Sequence, residues 1–192
     1  LSLTSPIHVL GFAGSLRKAS FNKRLITIAG DVLPPAMTLE QFDLAPLPLY
    51  NEDLQGESGL PDGVQQFHAR LAAADALLIA TPEYNFSISG VLKNALDWAS
   101  RAMVDGRPSP LNDKPLAIMG GGGRLGTARA QMHLRDIAPH NNMHVLNAPQ
   151  VYFIGVRSAF DADGNLIDPT VRERIAQLME ALAHWTRRLR GY

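Results

Sequence analysis

Apolar segments of strand length alternate with amphipathic helical segments along most of the chain. Strands are predicted where apolar residues run together or alternate with polar ones, in residues 7–12, 37–44, 76–81, 116–119 and within 145–156. Helices are predicted where apolar residues recur every three or four positions, in residues 22–33, 61–74, 90–101, 126–138 and 168–189. This alternation is typical of α/β domains.

The predicted strands have the composition of strands that are buried on both faces. The segment Ala76-Leu-Leu-Ile-Ala80 is apolar throughout, which favours a parallel sheet under helices over an antiparallel sheet with one wet face. No repeat or low-complexity linker divides the chain, so residues 1–192 are predicted to form a single domain. The predicted fold is a doubly wound five-stranded parallel sheet with helices on both faces. Such sheets bind ligands outside the carboxyl ends of the strands, so the loops that follow the strands are the places to search for a site.

The composition argues against several classes of function. The 18 basic and 18 acidic residues balance, which argues against a nucleic-acid surface. Because the chain has no cysteine, disulfides, thiolate metal sites, iron–sulfur clusters and a cysteine nucleophile are excluded. The six histidines show no spacing typical of a metal site. Neither a membrane-spanning run nor a signal peptide is recognised, so a cytoplasmic protein is expected.

The loop after the first strand has the composition of a phosphate site. It runs from Gly14 to Asn22 and enters a predicted helix, whose free N–H groups and partial positive charge suit an anion. Ser15, Ser20 and Asn22 offer short polar side chains, and Arg17 offers a charged fork of donors. The loop matches neither the Walker motif nor the dinucleotide G-x-G-x-x-G motif. An ordinary turn in which Asn22 caps the helix is the alternative.

The loop after the third strand combines rigid and flat residues. It reads Thr81-Pro-Glu-Tyr-Asn-Phe-Ser87, and its two aromatic side chains, Tyr84 and Phe86, could cradle a flat ring while backbone groups bond the ring edge. The alternative is a long turn whose aromatic side chains pack in the core.

Four consecutive glycines follow the fourth predicted strand. Ordering the run Gly120–Gly123 costs conformational entropy, which makes sense where a ligand must approach the backbone. A flexible surface loop is the alternative. Since all three loops lie at one edge of a parallel sheet, together they predict a phosphate pocket beside a site for a flat ring.

Two motifs resemble those of a known family. They are Gly14-Ser-Leu-Arg-Lys-Ala-Ser-Phe-Asn22 and Pro82-Glu-Tyr-Asn-Phe-Ser87, and the second continues into Gly90-Val-Leu-Lys-Asn-Ala-Leu-Asp-Trp98. Their order and spacing resemble the NAD(P)H-dependent FMN reductases of the flavodoxin-like group, close to the bacterial chromate/quinone reductases. The resemblance runs from about Ile7 to the final helix. It implies a flavodoxin-like fold and flavin mononucleotide (FMN) as the cofactor.

The resemblance also implies which residues form the FMN site. The phosphate would be held by Ser15, Arg17, Ser20 and Asn22. The isoalloxazine ring would be bordered by Pro82, Glu83, Tyr84 and Asn85, with Ser87 also assigned to the cofactor site, and lined on its far side by Gly120 and Gly121. Relatives near the chromate/quinone branch often carry serine in this last loop, so the glycine run is a departure from the family pattern.

The activity implied by the resemblance is that of an oxidoreductase. NADPH or NADH would deliver hydride to N5 of the flavin and leave, and a small acceptor would then take its place in a ping-pong mechanism. Quinones, azo compounds, flavins and chromate-like oxyanions are the expected acceptors. No side chain needs to be catalytic. A homodimer or homotetramer is implied.

Two other functions remain open from the sequence. A flavodoxin-type electron carrier is one, although such carriers are usually strongly acidic and this chain is neutral. A phosphate-recognising hydrolase or isomerase on the same sheet is the other, because fold does not fix function.

Two further features concern the substrates. Arg101, Arg107 and Arg124 are candidate partners for the 2′-phosphate of NADPH. The segment 104–110 is longer and more polar than the family pattern leads us to expect, and we expect it to influence which substrates enter.

Overall fold

The computed structural model describes residues 6–55, 59–103 and 105–191. In chain order its helices and strands are β1 (Ile7–Ala13), α1 (Phe21–Asp31), β2 (Met37–Phe42), α2 (Asp62–Ala73), β3 (Ala76–Ala80), α3 (Gly90–Ala99), β4 (Pro115–Gly121), α4 (Ala128–Ile137), β5 (His144–Val145), β6 (Val151–Phe153) and α5 (Pro169–Arg190). Apart from the fifth strand, every predicted element is present with its ends within two residues of the prediction. Val104, the first residue of the polar segment 104–110, lies outside the described residues. Within the described ranges, no helix has the length and apolar character needed to cross a bilayer.

The sheet is parallel throughout and has the strand order β2-β1-β3-β4-β5, with β6 also paired to β4. This is the flavodoxin-like order, which confirms the predicted doubly wound fold. The fifth position is filled by two short segments, since β5 pairs with the start of β4 and β6 with its end. Pro149 lies between these two segments and has no N–H to donate to a neighbouring strand, which is a physical reason for the interruption.

Both faces of the sheet are covered by helices, as the apolar strands predicted. Side chains such as Val9 and Leu78 pack with the buried residues of α1 and α5. Their neighbours Leu10 and Leu77 point to the other face and pack with α2, α3 and α4. Because successive strand residues point to opposite faces, a central strand with helices on both sides is apolar at nearly every position.

The last helix begins and ends where the sequence predicted. Asp168 is its N-cap, and the side-chain oxygen Oδ1 accepts the N–H of Thr170 at 2.9 Å. Pro169 occupies the first turn, and Gly191 ends the helix with a φ of +72°, a left-handed conformation that glycine adopts without strain.

A buried histidine joins α2 to α3. His68 is 3% exposed, and its Nε2 donates to the carbonyl of Trp98 at 2.9 Å. Trp98 is itself fully buried and donates from Nε1 to the carbonyl of Pro48 at 2.8 Å, which fixes the proline-rich loop against α3. Burial lowers the pKa of His68 below its usual range, and the bond to Trp98 opposes this only in part. The imidazole is therefore held in its neutral form.

We expect this histidine to make the protein less stable in mild acid. Its folded pKa lies below the unfolded value of about 6.5, so the unfolded chain takes up the proton first as the pH falls. Stability is therefore lost from about pH 6.5 downward, through the folded pKa. His68→Gln removes the titration and keeps a donor for Trp98. Urea unfolding of both proteins at about pH 8 and about pH 5.5 should show a smaller loss for the variant. Equal losses would assign the acid sensitivity to other groups.

Candidate functional site

The loops that follow β1, β3 and β4 meet at the carboxyl edge of the sheet and line one cleft of about 160 Å³. Its lining residues are Ser15, Arg17, Ser20, Phe21, Asn22, Pro82, Glu83, Tyr84, Gly121, Gly122 and Gly123. The structure thus brings together all the predicted site residues except Asn85, Ser87 and Gly120. It adds Phe21, Gly122 and Gly123, which the resemblance did not assign.

One end of the cleft is rich in hydrogen-bond donors. Ser20 is buried and caps α1, where its Oγ accepts the N–H of Lys23 at 3.4 Å. Ser15 is also buried, and its Oγ accepts the N–H of Arg17 at 3.4 Å. Each hydroxyl still has its own proton to donate. The Arg17 guanidinium donates to the carbonyl of Ala19 at 3.0 Å, and it adds a positive charge beside the helix N-terminus.

The side chain of Asn22 bonds the backbone of β4 instead of capping α1. Its Nδ2 donates to the carbonyl of Gly121 at 3.1 Å, and its Oδ1 accepts the N–H of the same residue at 3.0 Å. Asn22 is buried, and these bonds join two loops that are 99 residues apart in sequence. The helix cap considered from the sequence was wrong, because Ser20 takes that role. Asn22 positions the loop after β4 beside the start of α1.

The carboxylate of Glu83 lies at the beginning of α4. Its Oε2 accepts the N–H of Arg129 at 2.9 Å and that of Ala130 at 3.2 Å. The N-cap residue of this helix, Thr127, has a left-handed backbone and makes no capping bond with its own side chain. Glu83 therefore supplies from a distant loop the acceptor that the helix lacks. Sequence reasoning missed this contact, since the residues are 46 positions apart.

A tight turn follows Glu83. Tyr84 and Ser87 exchange two backbone hydrogen bonds of 3.0 Å, and the residues between them, Asn85 and Phe86, have φ values of +51° and +62°. Tyr84 is 56% exposed and Phe86 is 62% exposed, so the alternative that both pack in the core was wrong. The turn places Asn85 and Ser87 outside the cleft lining and leaves Tyr84 at its edge.

The same turn packs on α4. The Arg129 guanidinium lies 3.8 Å from the centroid of the Phe86 ring, a cation–π contact. Ser87 Oγ and His133 Nδ1 are 2.9 Å apart, within hydrogen-bond distance. These contacts hold Phe86 in a left-handed backbone that is uncommon for a bulky residue. The cleft edge is thus positioned by α4.

The four glycines of the run Gly120–Gly123 divide into two pairs. Gly120 and Gly121 belong to β4 itself and not to the loop in which they were predicted. A methyl group on Gly120 would collide with Thr127 and the carbonyl of Thr81, and one on Gly121 would meet Val156. Close packing within the protein therefore already requires a glycine at each of these positions.

Gly122 and Gly123 are the true loop residues. Their φ values are +141° and +62°, and a side chain at either would point into open space. Both residues line the cleft. Their left-handed backbone favours glycine, because other residues adopt it only with strain.

One further polar residue steadies the cleft. Ser89 caps α3 by accepting the N–H of Leu92 at 3.1 Å, and its hydroxyl donates to the carbonyl of Gly14 at 2.6 Å. A serine just before a predicted helix could have been identified as a cap from the sequence. Its bond to Gly14 could not, because that contact exists only in the fold.

Comparison with known proteins identifies the family. The model of the NADPH-dependent FMN reductase family matches residues 7–156, more than half of the chain. The chain belongs to this family. The two motifs therefore indicated the correct family, and membership confirms the prediction of an NAD(P)H-dependent oxidoreductase with FMN as cofactor.

Individual FMN reductase relatives agree with this assignment. An NAD(P)H-dependent FMN reductase of Pseudomonas aeruginosa is 48% identical over 190 residues, covering 98% of this chain and 100% of its own length. An NADPH:quinone oxidoreductase of Arabidopsis thaliana is 42% identical over 190 residues, covering 96% and 94%. Among solved structures, the flavoenzyme NAD(P)H:(acceptor) oxidoreductase of Paracoccus denitrificans superposes with a TM-score of 0.83 at 30% identity, covering 95% and 98%.

We expect Asn22→Ala to loosen the cleft of this FMN reductase family member. The change leaves the buried N–H and carbonyl of Gly121 without the partners they have in the wild type, which should cost about 1–3 kcal/mol in the free energy of unfolding. FMN affinity should fall as well, because the end of β4 and the loop residues Gly122 and Gly123 that follow it lose their anchor. Urea unfolding and flavin titration give the two values. Thr27→Ala, on the exposed face of the same helix, is the control and should change neither. Unchanged stability in Asn22→Ala would contradict the anchoring role.

Proposed function

We propose that the cleft holds FMN and that the protein catalyses electron transfer from NAD(P)H to small acceptors, quinones in particular. When bound there, FMN would supply the redox chemistry, which is hydride transfer from the nicotinamide and electron transfer to the acceptor. The observation that carries this proposal is one cleft lined both by phosphate donors and by the backbone of Gly121–Gly123 with Pro82 and Tyr84. The names of the relatives, FMN reductase and quinone oxidoreductase, support it.

The donor end of the cleft fits the phosphate of FMN. Ser15 and Ser20 hydroxyls, the Arg17 guanidinium and the first N–H groups of α1 all favour a negatively charged group. Among the described lining residues, only Glu83 carries a carboxylate, and its bonds to α4 hold it there. A phosphate beside Arg17 would thus meet hydrogen-bond donors and no free carboxylate among the described lining residues.

The remaining lining residues fit a flat ring. Pro82 and Tyr84 line the cleft, as does the bare backbone of Gly122 and Gly123. Backbone groups of these residues can bond the polar edge of an isoalloxazine. The three predicted residues outside the cleft lining would act indirectly. Asn85 and Ser87 belong to the turn next to Tyr84, and Gly120 belongs to the strand that leads to Gly122 and Gly123.

The purified protein should contain FMN and should show ping-pong kinetics. The nicotinamide and the acceptor would use the same open side of one cleft in turn, because the sequence carries no second dinucleotide fingerprint. Chromatography of the released flavin identifies the cofactor, and initial rates over a grid of NADPH and a benzoquinone test the order of binding. Parallel double-reciprocal lines are expected. Intersecting lines would rule out the single shared cleft, and flavin without steady-state NAD(P)H oxidation would point to an electron carrier.

Arg17→Ala should weaken FMN binding more than it slows turnover of the loaded protein. The lost charge-assisted contact should raise the FMN dissociation constant by roughly tenfold, equivalent to about 1.5 kcal/mol. Lys18→Ala is the matched control, since Lys18 is an exposed cation of the same loop that does not line the cleft. Quenching of flavin fluorescence measures both constants. Equal affinities in wild type and Arg17→Ala would place the guanidinium in solvent.

The working form is expected to be a homodimer or a homotetramer. Large apolar side chains stay more than half exposed on the proline-rich loop, on the turn after Glu83 and on α4, namely Leu49, Tyr84, Phe86 and Met132. Exposed apolar surface of this kind is typical of an interface. Light scattering at micromolar concentration should give a mass of two or four chains, and a monomer mass would contradict this proposal. A cytoplasmic location, where NAD(P)H is available, stays a prediction.

A further inference from the structure

A second cavity opens next to the cleft and shares Arg17 with it. Its volume is about 430 Å³, against about 160 Å³ for the cleft. Arg24, Arg157, Phe21 and Phe160 form most of its wall. Because Arg17 lines both spaces, the cavity begins where the proposed phosphate site ends.

The arginines of this cavity have no carboxylate partner among the described residues. No ion pair of the described structure includes Arg17, Arg24 or Arg157. Some arginines elsewhere are paired, as Arg70 is with Glu40 at 3.3 Å and Arg190 with Asp75 at 2.7 Å. The cavity therefore brings together three arginines, Arg17, Arg24 and Arg157, that no carboxylate pairs with in the described structure.

The acidic residue in the cavity wall is already engaged. Asp161 accepts the side-chain amide of Asn165 at 3.0 Å and its backbone N–H at 2.8 Å. These two bonds lower the pKa of Asp161 and hold its carboxylate within its own turn. It does not cancel the charge of the arginines through a direct contact.

The aromatic wall holds one of the arginines in place. Phe21 and Phe160 stack with their ring centroids 5.3 Å apart and their planes at 29°. The Arg24 guanidinium lies 5.8 Å from the centroid of Phe21 and 5.5 Å from that of Phe160. A methyl group added to Gly164 would collide with this guanidinium, so Arg24 lies between the rings and the Gly164 backbone. These contacts hold the Arg24 side chain in place before any ligand binds.

From this geometry we infer that the cavity binds the 2′-phosphoadenosine end of NADPH. Arg24 and Arg157 would take the 2′-phosphate, because planar guanidinium groups match phosphate oxygens in pairs. The flat adenine would lie against the apolar edge formed by Phe21 and Phe160. The inference rests on the proposed function, since it places the far end of the reductant beside the cleft that would hold its nicotinamide. It makes NADPH the preferred reductant over NADH.

The arginines suggested by the sequence for this role are not grouped in this way. Arg107 pairs with its neighbour Asp105 at 2.7 Å. Arg101 donates to Ser100 at 2.8 Å and lies 5.5 Å from the ring of Tyr50. The second cavity is lined by none of the three arginines suggested by the sequence, Arg101, Arg107 and Arg124.

Calorimetry on the FMN-loaded protein tests the site directly. Adenosine 2′,5′-bisphosphate should bind about tenfold more tightly than 5′-AMP, which lacks the 2′-phosphate, and more tightly than inorganic phosphate. The single variant Arg157→Gln and the double variant Arg24→Gln/Arg157→Gln should each weaken binding of the bisphosphate by about tenfold or more, without lowering FMN content. Arg70→Gln is the control, because it removes an arginine that lines neither space. In steady state, the KM for NADPH should rise in the arginine variants while that for NADH stays the same.

The possible failures are distinguishable. A wild-type protein without flavin, or without NAD(P)H oxidation, would overturn the proposed function. The calorimetric titration uses bound FMN but needs no NAD(P)H oxidation, so its result tests the cavity separately from turnover. Equal affinity for the bisphosphate and 5′-AMP would overturn the 2′-phosphate assignment. Equal affinity for inorganic phosphate would reduce the cavity to a simple anion site and would also overturn it. Since Arg157 is exposed, its single variant should fold normally and keeps the test valid if the double variant does not.

Discussion

The cleft depends on a constraint of the parallel sheet. Every strand runs in the same direction, so each chain crossing returns over a face of the sheet and every loop after a strand emerges at the same edge. Three loops that are far apart in sequence are therefore neighbours before any side chain contributes. The reciprocal hydrogen bonds between Asn22 and Gly121 then fix two of these loops to each other. Both bonds are buried, so losing either would leave a polar group without a partner and would lower the stability of the fold. Ser89 fixes the third through Gly14.

Many polar residues of the cleft serve structure first. Glu83 caps α4, Ser20 caps α1, and Asn22 holds the end of β4. This arrangement has an electrostatic consequence. The carboxylate of Glu83 is engaged by the N–H groups of α4, while Arg17 and the N-terminus of α1 contribute positive potential to the cleft. The cleft proposed for a phosphorylated cofactor is suited to that role because the nearby carboxylate of Glu83 is bonded to α4.

Net charge hides the distribution of charge in this protein. The equal numbers of acidic and basic residues say nothing about where the charges lie, and ion pairs neutralise the charges unevenly. Arg70, Arg107, Arg172 and Arg190 each have an acidic partner, whereas Arg17, Arg24 and Arg157 meet in one cavity without one. Unpaired guanidinium groups against aromatic rings are suited to a phosphorylated base, and they adjoin the cleft where the redox chemistry is proposed.

The sequence alone determined the fold class, the element positions, the family and most of the cleft lining. It could do so because these depend on local patterns: apolar runs, capping residues such as Asp168, and two motifs that lie in continuous segments. Tertiary structure decided what the individual side chains do. The capping of α4 by Glu83, the bonds of Asn22 to Gly121 and the packing that requires Gly120 join residues tens of positions apart. The interruption at the fifth strand and the meeting of three arginines likewise depend on which segments become neighbours, and one-dimensional spacing does not encode that.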